Sequence, residues 1–449
     1  MTHSTSKAAF RLRTAMRSDV GMRRATNQDA VAIVPNDDSA GGDRFLIVAD
    51  GMGAHAAGEL ASKMAVDHIP HAYLKSRDDS APAALRSAVR GANERINEKG
   101  CSAHEFQGMG TTCTCLVASQ GAVLAAHVGD SRLYRLRKGV LEQLTFDHSL
   151  VWEMAAASNV SEDKVPSCIP KNVITRSLGP HDTVNVDLEG PHTLEQGDVF
   201  LICSDGLSGV VDDPLAAGVL GALEPDDAAQ TLIDLANLRG GPDNISVIVA
   251  RAEETKGSQP VCKPKGEGLS ALTSALLALV CLGGFGWFLV SNNPLGMLIS
   301  AAGCGAAIVL GAVRKPASYD AAVRSLGGPY GNGPYRRYES GDGREAAEVL
   351  QALVGELAAV GEEPREELNG SSPGDSSVLA EQASLSGRLL VNWSPFTKDL
   401  VEADASLARG EYRVAIEQYA QLVRGVMRAV REDDGTHRYR AAVGKTDAE

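Results

Sequence analysis

Phe45-Leu46-Ile47-Val48-Ala49-Asp50-Gly51 is a short apolar run that stops at an acid and a glycine, and the pattern returns elsewhere in the chain. Val199-Phe200-Leu201-Ile202-Cys203 runs into Ser204-Asp205-Gly206, and Ala126-His127-Val128 runs into Gly129-Asp130. In the opposite sense, Asp243-Asn244 opens the run Ile245 to Ala250. Apolar runs of this length, rich in β-formers and bounded by turn residues, predict strands. Gly121, Gly139 and Gly197 sit in connections of only a few residues, which favours antiparallel neighbours over crossover units. The end of one antiparallel strand lies beside the start of the next. An Asp that opens a strand and others that close strands can therefore share one rim.

Several carboxylates on one rim repel each other unless cations neutralise them. With oxygen ligands and no His or Cys partner nearby, the hard ions Mg2+ or Mn2+ suit the donor set. An Asp bridging two such ions fits a two-metal hydrolase that activates water. A single Asp-Gly marks a turn as readily as a site; four acids at matching strand ends favour the site.

Composition narrows the function classes. The 449 residues carry 43 Lys plus Arg against 57 Asp plus Glu, a net charge of −14, which argues against a nucleic-acid binder that neutralises phosphates with a basic face. Hydrophobic content of 44% suffices for a sizeable core. The 8 Cys include no Cys-x-x-Cys pair, so neither a zinc site nor a disulfide framework is expected. Lys7, Arg11, Arg13 and Arg17 are followed by no apolar run, and no secretory signal is expected. Helices are predicted where Ser80-x-Pro82 precedes Leu85, Val89 and Ile96, around Leu60, Met64 and Ile69, and over Asp226 to Leu238.

The motifs also fall in a familiar order. Arg24-x-x-Asn27-Gln28-Asp29, Val48-Ala49-Asp50-Gly51-Met52-Gly53 and Gly110-Thr111-Thr112 come first. Gly129-Asp130-Ser131-Arg132, Asp147-His148-Ser149-Leu150, Asn172-Val173-Ile174-Thr175-Arg176, Cys203-Ser204-Asp205-Gly206 and Asp243-Asn244 follow. The series resembles the bacterial branch of the PP2C-type (PPM) metal-dependent protein serine/threonine phosphatases, over residues 14–252. The resemblance implies an α+β fold, a PP2C-like sandwich of two antiparallel β-sheets flanked by helices. It implies hydrolysis of phosphoserine and phosphothreonine by a two-metal-activated water. The cofactors would be two Mn2+ or Mg2+ ions and a weaker third. Asp50 would bridge both metals with help from the Gly51 carbonyl. Asp205 and Asp243 would complete one shell, and Asp130 with Asp205 would form the weaker site. Arg24 would grip the substrate phosphate, and Asp29 would orient metal-bound water. The implied partners are Ser/Thr-phosphorylated proteins and, at one remove, a Ser/Thr protein kinase. Ser149 to Pro180 resembles the flap over the site in bacterial members.

Two positions depart from the pattern. Gln28 stands where many relatives carry Glu, so the second metal is expected to be held more loosely. Met52 replaces a His found in eukaryotic members, and Met cannot transfer a proton. His55, the acidic loop of Asp37, Asp38 and Asp43, and Gly58-Glu59 read as structural features.

Farther on, Leu269 to Val290 and Leu295 to Val313 are 22 and 19 residues without a charge, each long enough to cross a hydrocarbon core of about 30 Å as a helix. Ser291-Asn292-Asn293-Pro294 separates them, Lys263 and Lys265 precede, and Arg314 and Lys315 follow. Cationic flanks on both outer ends predict a transmembrane hairpin over 269–313 in the cell (inner) membrane, with catalytic domain and tail both cytoplasmic. Residues 253–268 are then a linker, the hairpin's partner is the lipid bilayer, and 314–449 is a mostly helical, partly disordered tail. Within the tail, Arg344 to Glu362 is amphipathic, with Leu350, Leu353 and Leu357 on one stripe. Glu362 to Ser377 is expected to be disordered. Residues 400–432 read as a helical hairpin broken at Gly410, and Gly410-Glu411-Tyr412-x-x-Ala415-Ile416-x-x-Tyr419 is similar to the middle of one tetratricopeptide repeat. The tail is a candidate for binding a partner whose identity the sequence leaves open. The competing reading is a non-catalytic membrane scaffold or signalling module on the same fold; retention of Asp50, Asp130, Asp205 and Asp243 weighs against it.

Overall fold

The structure is a computed structural model that describes residues 10–35, 44–54, 56–76, 80–119, 121–160, 162–166, 168–170, 172–254, 328–362 and 393–443. One antiparallel sheet runs in the order β1 (Phe10–Asp19), β11 (Ile245–Glu254), β10 (Val199–Cys203), β7 (Arg132–Arg137), β8 (Val140–Gln143) and β12 (Arg336–Glu339). The other runs β2 (Asp29–Val34), β3 (Arg44–Met52), β5 (Cys113–Ser119), β6 (Ala122–Val128) and β9 (Asp187–Thr193), with β4 (Gly110–Thr111) paired to the end of β3.

Central strands such as β3, β6 and β10 are apolar without alternation because both of their faces are buried. In β3, Leu46 and Val48 meet Leu133, Phe200, Ile202 and Ile248 of the opposite sheet. Phe45, Ile47 and Ala49 point the other way, into a layer made with α1 (Ala57–Lys75) and α2 (Ala81–Ser102). In β10 and β11, Val199, Leu201, Val247 and Val249 face a third layer, built with α5 (Asp213–Ala222) and α6 (Pro225–Leu238). The predicted strands and helices therefore stand where the apolar patterns put them, in the α+β sandwich that was expected. Two short helices follow strand ends or turns, α3 (Leu150–Ser158), capped by the Ser149 hydroxyl, and the single turn α4 (Asp205–Ser208).

The C-terminal segment does not stand apart from this body. β12 pairs with β8, with Arg336 opposite Gln143 and Tyr338 opposite Leu141. Next, α7 (Arg344–Glu362), α8 (Thr397–Ala408) and α9 (Tyr412–Val443) carry Leu350, Val354, Ile416, Tyr419 and Met427 into the third layer. The turn between α8 and α9 falls at Gly410, whose φ of +76° a glycine accommodates without strain. Arg431 pairs at 2.6 Å with Asp234, and Arg424 pairs with Asp227, so charges as well as apolar faces hold α9 to α6. The apolar faces of α7 and α9 thus pack on the chain's own α5 and α6. The expected transmembrane hairpin, His55, the loop of Asp37, Asp38 and Asp43, and the stretch expected to be disordered beyond Glu362 lie outside the described residues. Among the described residues, no helix is long and apolar enough to cross a membrane.

The contact of α5 with α7 is closest at Gly218, where an added Cβ would come 2.2 Å from the Ala346 Cβ. At Gly221, on the same helix, an added Cβ would meet only the Leu136 Cδ2, at an ordinary 3.6 Å. Gly218→Ala is expected to destabilise the protein by about 1–3 kcal/mol through overpacking, against its gain in helix propensity. Gly221→Ala should instead be neutral or stabilising by up to about 1 kcal/mol. Chemical denaturation of the two variants checks this; equal effects would mean that α7 does not seat against α5.

Candidate active site

The predicted acids do collect on one rim. Pairing of β2 with β3 sets Asp29 opposite Asp50. Asp205 starts α4 directly after β10, Asp243 lies before β11, and Asp130 follows β6. Backbone contacts lock the corner at Asp50. Its N–H donates to the Thr112 hydroxyl at 2.9 Å, and its carbonyl accepts from the Thr112 N–H and the Thr111 hydroxyl, both at 2.9 Å. The Gly51 N–H donates to the Gln28 carbonyl at 3.1 Å. Two glycines are there for space. A Cβ on Gly51 would lie 2.1 Å from the Gly58 carbonyl oxygen, and one on Gly206 would lie 2.0 Å from that of Asn244.

The electrostatics of the rim are those of crowded, dehydrated carboxylates. Burial pushes Asp50 well above the usual carboxylate range, and the charges of Asp29, Asp205, Asp130 and Asp243 push it further. Burial raises Asp29 to about 7 against the opposing hydroxyls of Ser246 and Ser204. Burial, reinforced by Asp205, raises Asp130 to about 8. Asp205 is raised too, chiefly by burial and then by Asp243, while a hydrogen bond with Asp50 and the charges of Arg24 and Arg132 hold it back. Asp29 Oδ1, Asp130 Oδ1 and Asp205 Oδ1 are buried with no hydrogen-bond partner among the described residues. Orphaned buried acceptors of this kind are rare, and a cation would satisfy them.

Among the described residues, no three His, Cys, Asp or Glu side chains converge on a single metal-ligating point. That is compatible with hard divalent ions, which keep several waters and take only one or two carboxylates each. The donor set, all oxygen, with repulsion to relieve, fits Mg2+ or Mn2+.

Arg24 stands on the same rim, with its side chain 55% exposed, and its Nη2 donates to Asp243 Oδ2 at 2.7 Å. The sequence reading gives Arg24 to a substrate phosphate; here it pairs with one of the acids. Asn244 holds the loop that carries it. Its amide nitrogen donates to the carbonyls of Val20 and Thr26, and its Oδ1 accepts from the Gln28 N–H. Gln28 thus serves the rim through its backbone as well. Ser204 donates to Asp29 Oδ2 at 2.8 Å, which fixes the acid expected to act at one remove from the metals.

Three supporting residues were named in motifs but given no role by sequence reasoning. His148 is buried; its Nδ1 accepts from the Gly129 N–H at 2.9 Å, so the Nε2–H donates to Asp187 Oδ2 at 2.9 Å. Thr112 also bonds Ser131 at 2.8 Å, tying the Asp50 corner to the Asp130 turn. Arg132, buried, donates from Nε to Asp147 Oδ2 at 2.7 Å, and its charge bears on Asp130 and Asp205. The signal for His148 and Arg132 was their place inside motifs that also hold an acid, and for Thr112 its place in Gly110-Thr111-Thr112.

Comparison with known proteins agrees with this geometry. The family described as Protein phosphatase 2C matches residues 22–237. The protein phosphatase PhpP of Streptococcus pneumoniae is 34% identical over 241 residues, covering 53% of this chain and 96% of PhpP. The chain belongs to the protein phosphatase 2C family. It carries a PP2C-type serine/threonine phosphatase domain of the kind found in bacteria. The serine/threonine protein phosphatase PstP of Mycobacterium tuberculosis is 37% identical over 247 residues, 53% of this chain but only 45% of PstP. A PstP catalytic domain in complex with two manganese ions covers 55% of this chain and all of its own length, at 33% identity and a TM-score of 0.47.

The raised carboxyls give the PP2C-type domain a definite pH response. Between the ordinary carboxylate value near 4 and the values of about 7 for Asp29 and about 8 for Asp130, the folded state binds more protons than the unfolded. Stability without divalent ions should therefore fall as pH rises across that window. A bound divalent ion replaces those protons, so Mg2+ or Mn2+ should raise the melting temperature more at about pH 8 than at about pH 5. Thermal melts at both pH values check this, and an equal shift at both would remove the rim as the ion's site.

Proposed function

We propose that this chain is a Mn2+- or Mg2+-dependent protein serine/threonine phosphatase acting at the Asp50 rim. We also propose that residues 269–313 anchor it as a hairpin in the cell membrane, with the catalytic domain and tail on the cytoplasmic side. The observation that carries the catalytic reading is the set of buried, unpartnered oxygens on Asp29, Asp130 and Asp205 beside Asp50.

In this reading Asp50, the Gly51 carbonyl, Asp205 and Asp243 would hold the two ions. Asp130 with Asp205 would hold a weaker third. When bound, such ions supply a nucleophilic water at neutral pH and screen phosphoryl charge. The protein's own part is to bind, orient and release protons. Burial and mutual repulsion favour the protonated forms of Asp50 and Asp205, so these acids would give up protons on binding cations. Asp29, fixed by Ser204, orients water at the site. Arg24 can exchange Asp243 for a substrate phosphate, whose oxygens suit a bidentate guanidinium. Met52, at the end of β3, offers no proton to the leaving serine or threonine oxygen. The partners are Ser/Thr-phosphorylated proteins and, by implication, the Ser/Thr kinase that modifies them.

Asp205→Asn and Asp50→Asn should each lower phosphate release from a phosphothreonine peptide in Mn2+ by about 100-fold or more, the scale of lost charge stabilisation at a reacting centre. Retention of a tenth of the wild-type rate contradicts the assignment. Arg24→Ala should behave differently, raising KM for the peptide while, by freeing Asp243, not increasing the metal concentration at half-maximal activity.

The membrane reading rests on the two uncharged stretches with cationic flanks. It is supported by the sheet order, in which β11 before the hairpin and β12 after it belong to one sheet. Both flanks must then lie on one side of a bilayer, which requires an even number of crossings. Protease added outside intact cells should leave the phosphatase domain and the tail uncut, as immunoblotting of each would read. External cleavage of either one overturns the hairpin.

A further inference from the structure

We infer that Tyr335 and Arg336, which follow the apolar stretch and lead into β12, are positioning residues for the flap and through it for the acidic rim. The inference rests on the phosphatase reading for its kinetic consequence and on geometry alone for its structural one.

Arg336 reaches away from β12 to two acids of the phosphatase domain. Its Nη1 donates to Glu162 Oε2 at 3.3 Å, and its Nη2 lies 3.4 Å from Asp213 Oδ2. Glu162 belongs to the flap, in a short turn after α3. The same Oε2 accepts from the Trp152 indole N–H at 3.0 Å and lies 3.7 Å from Arg132 Nη2. Trp152 in turn lies over Arg132, with the guanidinium carbon 5.5 Å from the ring centroid. Arg132 bears directly on Asp130 and Asp205. One flap carboxylate is therefore shared by a post-hairpin arginine, the flap's tryptophan and the arginine behind the rim.

Tyr335 makes a second, parallel connection. Its N–H donates to the Gln143 carbonyl at 2.8 Å, and its hydroxyl donates to Glu189 Oε1 at 2.6 Å. Its ring meets Phe146 edge-on at 5.5 Å, and Phe146 meets Trp152 edge-on at 5.3 Å. A cavity of about 420 Å3 borders Arg132, Asp213 and Arg336. Close packing therefore does not fix these side chains on that side; their ion pairs and ring contacts do. Arg337, one residue on, projects to the other face of β12 and pairs with Glu142 Oε1 at 3.1 Å, away from the flap. It provides a matched control on the same strand.

The test uses the full-length protein in Mn2+, with amide hydrogen exchange of residues 149–164 as the structural readout and phosphothreonine-peptide hydrolysis as the kinetic one. Arg336→Ala and Tyr335→Leu should each speed exchange in the flap at least tenfold and lower kcat/KM at least fivefold. Arg336→Lys, which keeps the charge, and Arg337→Ala should stay within twofold of wild type in both. Unchanged flap exchange in Arg336→Ala overturns the inference. So does an Arg337→Ala effect equal to that of Arg336→Ala, which would reduce the contact to strand docking. If the wild-type protein released no phosphate, the phosphatase reading would fail, while the exchange comparison would still decide whether Tyr335 and Arg336 hold the flap.

Discussion

The structure is organised around a repulsion. Asp50 and its neighbours Asp29, Asp130 and Asp205 are brought out of water together beside the partly exposed Asp243, and burial is the largest cause of the upward shift in Asp50, Asp29, Asp130 and Asp205. A fold does not gather such groups spontaneously, because desolvating a carboxylate beside another is unfavourable until a proton or a cation intervenes. The rest of the domain holds the arrangement in place against that tendency. The sandwich core fixes the strands, and hydroxyls and amides fix the ends. Thr112 grips the Asp50 backbone and touches Ser131, Asn244 ties the Arg24 loop to the start of β11, and Ser204 bonds Asp29. None of these contacts neutralises charge. They rigidify a site whose charge balance is left for cations, the arrangement a metal-dependent hydrolase requires.

How much of this could be read beforehand depended on where the information lay. The rim was legible because each acid punctuates its own strand, so strand ends and chemistry coincide in a few consecutive residues. The two sheets were legible from Phe45 to Ala49 and Val199 to Cys203, although both faces of these strands are buried and they show no alternation. Arg132 is a different case. Its neighbours Asp147 and Glu162 come from a turn and from the flap, and no local pattern links Arg132 to either. The pairing of Arg24 with Asp243 was equally hidden, since it joins a loop before β2 to the residue before Asn244.

The C-terminal segment was legible as helices and illegible as architecture. Leu350, Leu353 and Leu357 announce an amphipathic α7, and Gly410 announces the break between α8 and α9, yet an amphipathic face does not say what covers it. The deciding features are single contacts. Gly218 makes room for Ala346, and Arg431 finds Asp234. β12 itself, Arg336-Arg337-Tyr338-Glu339, has the polar composition of an exposed segment. It becomes a strand because β8 presents an open edge, and polar, charged residues are what an edge position tolerates. The same polar character that hides it in the sequence gives Arg336 its reach to Glu162.

These contacts also bear on how the domain would meet a membrane. The chain leaves the domain at the end of β11 and returns at β12, four places away in the sheet order, a lateral distance of about 19 Å at the usual strand spacing. On the proposed anchor, residues 255–268 and 314–327 would be the two tethers, 14 residues each by position, and a chain of that length reaches at most about 50 Å. A domain held at two points so far apart on its own surface is restrained in tilt as well as in distance. A single tether of the same length restrains distance alone. On that anchor the returning tether would lead into Tyr335 and Arg336, so the segment that would fix the domain's attitude to the bilayer would be the one that touches the edge of its candidate active site. Substrates at the membrane surface would meet a flap whose support is continuous with the anchor.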